Sequence, residues 1–196
     1  MTNRPTCLPV QFENIPIELK KIPRWVLWRL MEKGEGEAAK WAKVPTQPNG
    51  LPASSTNPET WTDFLSVQDA YQSNPEKFAG IGFVFTPDDN LVGIDLDDCY
   101  DQHVGFTNAA MQQLANSIDG YMEASPSGTG VKIFTRADHF ASHADHSIGF
   151  EAYATGRYFT VTGHHLSGSV PAAPQDLTDI IPERTMRELS LIHISE

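Results

Sequence analysis

The opening of the chain alternates between apolar and polar stretches in a way that predicts a β-hairpin. Residues 23–30 (PRWVLWRL) are rich in aromatic and branched side chains, which favour a strand. Residues 33–40 (KGEGEAAK) are polar and contain two glycines, as is typical of a turn. Residues 41–48 (WAKVPTQP) return as a second strand that ends at prolines.

Two later segments have the apolar spacing of helices. In residues 61–71 (WTDFLSVQDAY) the apolar side chains at Trp61, Phe64, Leu65 and Ala70 have helical spacing, and residues 57–60 (NPET) just before them are a typical helix start. Residues 107–118 (TNAAMQQLANSI) predict a second helix.

The remaining apolar runs predict strands. Residues 80–85 (GIGFVF) and 91–97 (LVGIDLD) flank a Thr-Pro-Asp-Asp-Asn turn, so we expect them to form a second hairpin. Residues 120–136 contain two strand-like pieces around a Ser/Gly turn, and residues 150–163 contain two more. Short helices between hairpins predict an α+β domain with a largely antiparallel sheet.

Composition limits the class of protein. The 196 residues fit one domain of ordinary size, and the two cysteines cannot form a four-cysteine zinc site. Two cysteines also argue against a disulfide framework, so we expect a reducing, cytoplasmic setting. No signal peptide is visible, and no run approaches the ~20 apolar residues that cross a bilayer. The net charge of −11 argues against coating DNA by bulk electrostatics. Residues 20–43 nevertheless carry a local charge of +4, which is either a basic surface or a solvated hairpin.

The segment Gly93-Ile94-Asp95-Leu96-Asp97-Asp98 carries paired carboxylates on a predicted strand. Side chains alternate along a strand, so Asp95 and Asp97 share one face, about 6–7 Å apart at the backbone. Both can reach one divalent ion or bridge two, and carboxylates with substrate phosphates are the usual Mg²⁺ ligands. The alternative is a solvent-facing strand end with two exposed aspartates.

The second candidate is the segment SPSGTGVK, residues 125–132. Its small residues allow backbone N–H groups to turn toward an anion, and Lys132 adds a positive charge at the start of the next strand. The spacing is not that of a Walker loop. An ordinary Gly/Ser hairpin turn is the alternative interpretation.

The third candidate is Glu151, an acid within the apolar run IGFEAY, which can complete a metal site with the two aspartates. Arg157 follows in GRYFTVTG, and its guanidinium is suited to gripping a phosphate.

Taken in this order, the three segments resemble the three motifs of the archaeo-eukaryotic primase superfamily. The resemblance is closest to the prim-pol (bifunctional DNA primase/polymerase) domains of phage and plasmid replication proteins. GIDLDD matches the DxD strand, SPSGTGVK the Ser/Gly turn with its basic residue, and Glu151 with RYFTVTG the strand-borne acid. The early RWVLW, KVP and GIGFVF pieces also look like this family, so the resemblance covers roughly residues 20–170.

The resemblance implies a primase-like α/β domain with an RRM-like, largely antiparallel catalytic sheet and a small β-rich N-terminal unit. It implies template-directed nucleotidyl transfer, in which a 3′-hydroxyl attacks the α-phosphate of an incoming nucleotide and pyrophosphate leaves. Asp95, Asp97 and Glu151 would hold two Mg²⁺ or Mn²⁺ ions. The residues that would bind the triphosphate are Ser127, Gly128, Gly130, Lys132 and Arg157, with Lys43, Ser125 and Thr162 as further candidates.

The implied partners are a single-stranded DNA template, ribo- or deoxyribonucleoside triphosphates, and a fused or associated helicase domain. The chain departs from the family at Lys132, where histidine is usual. A lysine binds phosphate as a point charge but cannot replace a neutral imidazole that both donates and accepts.

Two other functions remain open at this stage. The same three acids suit a metal-dependent nuclease or phosphoesterase, and a decayed enzyme would remain as a non-catalytic nucleotide- or DNA-binding module. His139, His143 and His146 have spacing that suits zinc, but without a cysteine we expect an ordinary loop. The four tryptophans are expected in the core, with base stacking as the alternative.

We expect a segment at residues 1–19, the catalytic domain at 20–180 and a tail at 181–196. The last eight residues, LSLIHISE, resemble a translated sequencing adapter. We therefore expect residues 189–196 to be foreign to the gene, and the natural protein to continue beyond Glu188. The alternative is an ordinary C-terminal strand.

Overall fold

A computed structural model describes residues 4–34 and 40–178 of the chain. Its α-helices are α1 Ile17–Lys20, α2 Phe64–Ser73 and α3 Ala109–Asn116. Its strands are β1 Trp25–Lys33, β2 Lys40–Thr46, β3 Gly80–Val84, β4 Leu91–Leu96, β5 Tyr100–Asp101, β6 Gly105–Phe106, β7 Tyr121–Ala124, β8 Val131–Arg136, β9 His143–Asp145, β10 Phe150–Tyr153, β11 Tyr158–Val161 and β12 His165–Ser167. Short 3₁₀ helices lie at Phe12–Asn14 and Pro58–Thr60.

The strands form two main sheets and a small two-stranded one, and every pairing among them is antiparallel. One main sheet has the order β11-β3-β1-β2, and the other has the order β12-β7-β8-β4-β10-β9. The prediction of a mixed α/β domain with largely antiparallel sheets is confirmed. The β-rich unit is not purely N-terminal, because β11 returns from late in the chain to complete it.

The hairpins with polar turns form as predicted. β1 pairs with β2 from Leu27 opposite Thr46 to Lys33 opposite Lys40. β7 pairs with β8 across the Ser/Gly turn, with Ala124 opposite Val131.

The predicted hairpin between residues 80–85 and 91–97 is wrong. β3 pairs with β1 and β11, whereas β4 pairs with β8 and β10 in the other sheet. The intervening turn crosses between the sheets, and Arg24 holds it by hydrogen bonds to Thr86 and Asp89. Both strands are almost wholly buried, so each needs a pairing partner on both sides.

Both predicted helices form, and the first begins later than expected. The Asn57 side chain caps the 3₁₀ turn at Pro58–Thr60 rather than the α-helix. Thr62 then makes a β-bridge to Trp25, and Asp63 caps α2 by accepting a hydrogen bond from the Ser66 N–H. α3 begins after Asn108, whose side chain accepts from two backbone N–H groups of the first turn.

The six-stranded sheet separates two apolar cores, because its side chains alternate between faces. Val92, Ile94 and Leu96 lie on the face that packs against α3. The opposite face packs against the four-stranded sheet, with Leu91 and Phe134 in the same cluster as Phe83. At Gly93 the sheets approach so closely that a Cβ there would lie 2.5 Å from the Phe85 ring and 2.6 Å from the Phe159 ring.

The segment before α1 runs between the Ser/Gly turn and the end of β11. The Leu8 N–H donates to the Pro126 carbonyl at 2.8 Å, and the Gln11 N–H donates to the Thr162 carbonyl at 2.8 Å. We call residues 8–11 the N-terminal strap. The predicted domain limits stay predictions, and the predicted tail, 181–196 with its foreign part 189–196, lies outside the described residues. Within 4–34 and 40–178 no helix has the length and apolarity needed to span a bilayer.

Candidate active site

One row of residues runs across the six-stranded sheet, perpendicular to its strands. Glu123, Lys132, Asp95 and Glu151 are direct cross-strand neighbours on β7, β8, β4 and β10. Because directly opposed residues share a face, all four side chains lie on the face toward the four-stranded sheet. We call this set the charged row. It brings the first acid of the DxD segment, the basic residue after the Ser/Gly turn and Glu151 together, although they are distant in sequence.

The three predicted carboxylates lie at one end of this face. Asp95 and Glu151 are neighbours in the charged row, and Asp97 follows directly after β4. The Asp97 N–H donates to the Gly149 carbonyl at 2.8 Å, which holds the end of the DxD segment against the start of β10.

The electrostatics of Asp97 show that the carboxylates influence one another. Desolvation raises the pKa of Asp97, and the negative charges of Asp95 and Glu151 raise it further, whereas Lys132 lowers it. Three acids held together in this way repel one another unless positive charge is supplied.

Lys132 supplies part of that charge. Its residue is only 4% exposed, its ammonium donates to Asp95 Oδ2, and it lies 4.6 Å from the centre of the Phe159 ring. The other oxygen, Asp95 Oδ1, is buried and has no hydrogen-bond partner. Asp95 is therefore only half satisfied by protein groups.

A second lysine approaches from the four-stranded sheet. Loss of hydration lowers the pKa of the Lys43 ammonium and Lys132 lowers it further, whereas Asp95 and Asp97 raise it. The Tyr158 hydroxyl donates to the Lys43 carbonyl at 2.8 Å, which ties β2 to β11 beside the site. The structure thus places Lys43 within electrostatic reach of the acids.

The Ser/Gly turn lies against the end of the DxD segment. Ser125, Ser127 and Thr129 join their hydroxyls in a chain with O···O distances of 3.0 and 2.9 Å. The Thr129 hydroxyl reaches Asp98 Oδ1 at 3.4 Å. A Cβ at Gly130 would lie 2.7 Å from the Leu96 carbonyl, so this close approach requires glycine.

Gly128 lies at the tip of this turn with a φ of +74°, a conformation that glycine adopts without strain. The turn therefore presents small side chains and backbone beside the acids, as the motif resemblance implies.

Two further predicted nucleotide-binding residues make contacts with other protein groups. Arg157 is exposed, and its guanidinium lies 5.0 Å from the centre of the Tyr153 ring. Thr162 is buried, and its hydroxyl donates to the Ala124 carbonyl at 2.7 Å and accepts from the His164 N–H. The hydroxyl of Thr162 is thus already engaged by the protein.

The histidine segment is partly a strand rather than the expected loop. β9 begins at His143 and pairs with β10, and the His146 ring nitrogen Nδ1 lies 3.0 Å from Glu151 Oε1. His139 lies at a turn with a positive φ. The segment therefore borders the carboxylates at the edge of the sheet.

Sequence reasoning missed Glu123, the residue that ends the charged row. It is 0% exposed and accepts from the Thr162 and Gly163 N–H groups at 2.8 Å each and from the Tyr121 hydroxyl at 3.0 Å. Burial raises the pKa of Glu123 to about 7, although these donors and Lys132 lower it. A lone acid between Met122 and Ala124, just before the Ser/Gly turn, was the available sequence signal.

The acids have the donor chemistry of a site for hard divalent ions. Carboxylate oxygens are the ligands that Mg²⁺ and Mn²⁺ prefer, and Asp95 Oδ1 is buried without a partner. Across 4–34 and 40–178, however, no group of three His, Cys, Asp or Glu side chains is arranged to hold a metal ion. The positive charge next to Asp95 is that of the Lys132 ammonium.

The chain is similar to the DNA primase-polymerase of Nitratiruptor phage NrS-1, with 33% identity over 169 residues. This likeness supports a prim-pol domain of the phage type. The match covers 82% of this chain and 22% of the phage protein, so the chain corresponds to a minor part of that relative's length. No protein-family model matches the sequence.

Proposed function

We propose that this chain is the catalytic domain of a DNA primase-polymerase that joins nucleotides on a single-stranded template. The observation that carries the proposal is the meeting of Asp95, Asp97, Glu151 and Lys132 beside the Ser/Gly turn. The name of the phage relative supports the same activity.

Asp95, Asp97 and Glu151 would hold two Mg²⁺ or Mn²⁺ ions. Bound there, such ions activate an attacking 3′-hydroxyl and neutralise the charge of departing pyrophosphate. The mutual repulsion evident in the raised pKa of Asp97 favours cation binding, because a cation removes the cost of holding the acids together.

Lys132 would bind the triphosphate. In the free protein its ammonium is paired with Asp95. A phosphate oxygen would be the alternative partner of this buried ammonium when a nucleotide binds. Lys43 would add a second positive charge from the opposite sheet.

The Ser/Gly turn would orient the phosphates beside the acids. Its three linked hydroxyls and its glycines allow phosphate oxygens to approach the backbone closely. The Arg157 guanidinium packs over the Tyr153 ring, so it would have to leave that ring to reach a bound phosphate.

Template affinity would have to arise locally, because the chain as a whole is acidic. The basic residues of 20–43 are one source, and a helicase or other domain of a longer protein is another.

Primer extension tests the proposal. The chain is incubated with a single-stranded template, with or without primer, with ribo- or deoxyribonucleotides, and with Mg²⁺ or Mn²⁺. We expect extended products that disappear when the divalent ion is chelated and in Asp97→Asn. Cleavage of labelled DNA without nucleotides would instead indicate a nuclease, and nucleotide binding without any product would indicate a binding module.

A further inference from the structure

We propose that Glu123 is a positioning residue of the nucleotide site, which fixes the Thr162–Gly163 corner and balances the charge of Lys132. This inference rests on the proposed function. It assigns a role to a carboxylate outside the three predicted acids.

The hydrogen bonds of Glu123 join two parts of the site. Its carboxylate lies on β7, just before the Ser/Gly turn, and accepts from both N–H groups of the Thr162–Gly163 corner after β11. The Thr162 hydroxyl returns to β7 through the Ala124 carbonyl. The corner is therefore held by three hydrogen bonds to two consecutive residues of β7.

The N-terminal strap extends this connection to the turn itself. Gln11 donates to the Thr162 carbonyl at one end of the strap, and Leu8 donates to Pro126 within the turn at the other. The strap passes the corner so closely that a Cβ at Gly163 would lie 2.0 Å from the Gln11 carbonyl. A shift of the corner must therefore move the strap and the turn.

The charge of Glu123 also bears on Lys132. The two are direct cross-strand neighbours, and both are buried. The acids beside Lys132 in the charged row are Glu123 and Asp95, one on each side. When Asp95 is engaged elsewhere, the carboxylate of Glu123 remains to compensate the buried ammonium.

The surroundings of Glu123 make its charge dependent on pH near neutrality. The titratable or charged groups around it are Tyr121 on β7, Lys132 on β8, His165 on β12, His164 at the corner and Asp95 beyond Lys132. The strap, residues 8–11, contributes no titratable side chain. Burial raises the pKa to about 7, so the carboxylate ionises over the range in which the enzyme would be assayed.

Two consequences of this ionisation have opposite signs. Nucleotide affinity should improve as pH rises through 7, because the ionised carboxylate holds the corner and Lys132 more firmly. Folding stability should fall over the same range, because a carboxyl whose folded pKa exceeds its unfolded value stabilises the fold only while it is protonated. A purely structural role would make affinity and stability change together.

The experiment measures KM, kcat and melting temperature from pH 5.5 to 8.5 for the parent, Glu123→Gln, Tyr121→Phe and the exposed control Glu76→Gln. For the parent we expect the KM for nucleotide to rise roughly tenfold toward acid pH, as expected when one charge-assisted contact is weakened. Glu123→Gln should have the raised KM at every pH, with kcat within about threefold of the parent. Titration of the nucleotide itself affects all variants equally.

Tyr121→Phe keeps the Glu123 carboxylate and is the second test of its role if Glu123→Gln does not fold. It removes a hydrogen bond that lowers the pKa of Glu123, so the rise in KM should begin at higher pH. Glu76→Gln should behave as the parent.

Parental KM and pH dependence in Glu123→Gln or Tyr121→Phe would overturn the role of Glu123, as would KM and stability that change in parallel. If the parent binds labelled nucleotide but forms no product, the proposed function fails. The pH dependence of binding, measured by fluorescence anisotropy, then decides the role of Glu123. Absence of both binding and product overturns both proposals.

Discussion

The two carboxylates that flank Lys132 in the charged row differ in how the protein satisfies them. Glu123 on β7 has three protein donors, and they come from β7 itself and from the corner after β11. Asp95 on β4 has Lys132 as donor to one oxygen and no partner for the other. Both are acids in the same row, so the difference lies in their surroundings. The Glu123 end of the row, which we call the saturated side, has its acceptor oxygens occupied by protein donors. The part of the row at Asp95, which we call the unsaturated side, retains a free oxygen that a ligand can use.

The largest expected effect is on the unsaturated side. Asp95→Asn and Asp97→Asn should each reduce nucleotide incorporation at least about 100-fold, because each removes charge at the reacting centre. The two substitutions should change the free energy of unfolding in opposite directions. Asp95→Asn removes the carboxylate that accepts from the buried Lys132 and should cost on the order of 3 kcal/mol, the low end for breaking a buried pair, because Glu123 remains beside the ammonium.

Asp97→Asn should instead stabilise the free protein slightly, by under about 1 kcal/mol for so accessible a group. The stabilisation appears at neutral pH, where Asp97 is ionised, and disappears as pH falls through the raised pKa of Asp97. Primer extension and denaturant unfolding measure the two effects. Equal stability changes in the two variants would contradict the comparison.

Lys132 lies between the two carboxylates and should give the next largest effect. Lys132→Ala should weaken nucleotide binding by ~1.5–3 kcal/mol, or about tenfold to a hundredfold, the value of a charge-assisted hydrogen bond. Lys132→His should retain partial activity, because histidine is usual in the family that the motifs resemble. Titration with labelled nucleotide at fixed pH measures both, and unchanged binding by Lys132→Ala would place its ammonium away from the phosphates.

On the saturated side, we expect the effect of Glu123 in the pH dependence of folding stability. The pKa of Glu123 is raised from 4.5 to about 7, so ionisation of this group should reduce the parent's stability between those pH values. The reduction is on the order of 3 kcal/mol at 1.36 kcal/mol per pKa unit. Glu123→Gln should lack this component, so its free energy of unfolding should fall less than the parent's from pH 5 to pH 8. If the free energies of unfolding of the parent and Glu123→Gln, measured in urea, change in parallel with pH, ionisation of Glu123 does not destabilise the fold.

The smallest effect is expected from Thr162→Val. The change deprives the Ala124 carbonyl and the His164 N–H of their partner and should cost about 1–2 kcal/mol of stability. Nucleotide affinity should change less than about threefold, because the backbone bonds to Glu123 remain. A large loss of affinity in a well-folded Thr162→Val protein would indicate that this hydroxyl reaches the nucleotide after all.

The parts of the fold that the sequence could predict are those set by local pattern. The β1–β2 and β7–β8 hairpins have polar or Ser/Gly turns between strands that do pair, and α3 has its cap at Asn108. The turn after Phe85 has the same kind of composition but connects different sheets. Its destination depends on the buried Arg24, which is more than 60 residues away in sequence, and no local pattern reports that contact.

The candidate site shows the same limit. Alternation along β4 was enough to put Asp95 on the face opposite Ile94, as the two cores confirm. The motif resemblance implied that Asp95 and Glu151 share a site, but their direct opposition follows from the register of β10 on β4, which no turn specifies. Glu123 was missed because a lone acid before the Ser/Gly turn does not identify its partners, two of which come from residues 162 and 163.

The close approach of the sheets at Gly93 bears on how a substrate would reach the site and how a product would leave it. The rings of Phe85 and Phe159 close the space between the sheets there, and Phe159 also lies under Lys132. Aromatic rings thus fill the space between the sheets at Gly93, whereas Asp97, next to the Ser/Gly turn, is exposed. If nucleotides bind as proposed, they would enter and pyrophosphate would depart on the exposed Asp97 side, so that departing product and incoming substrate would share one route.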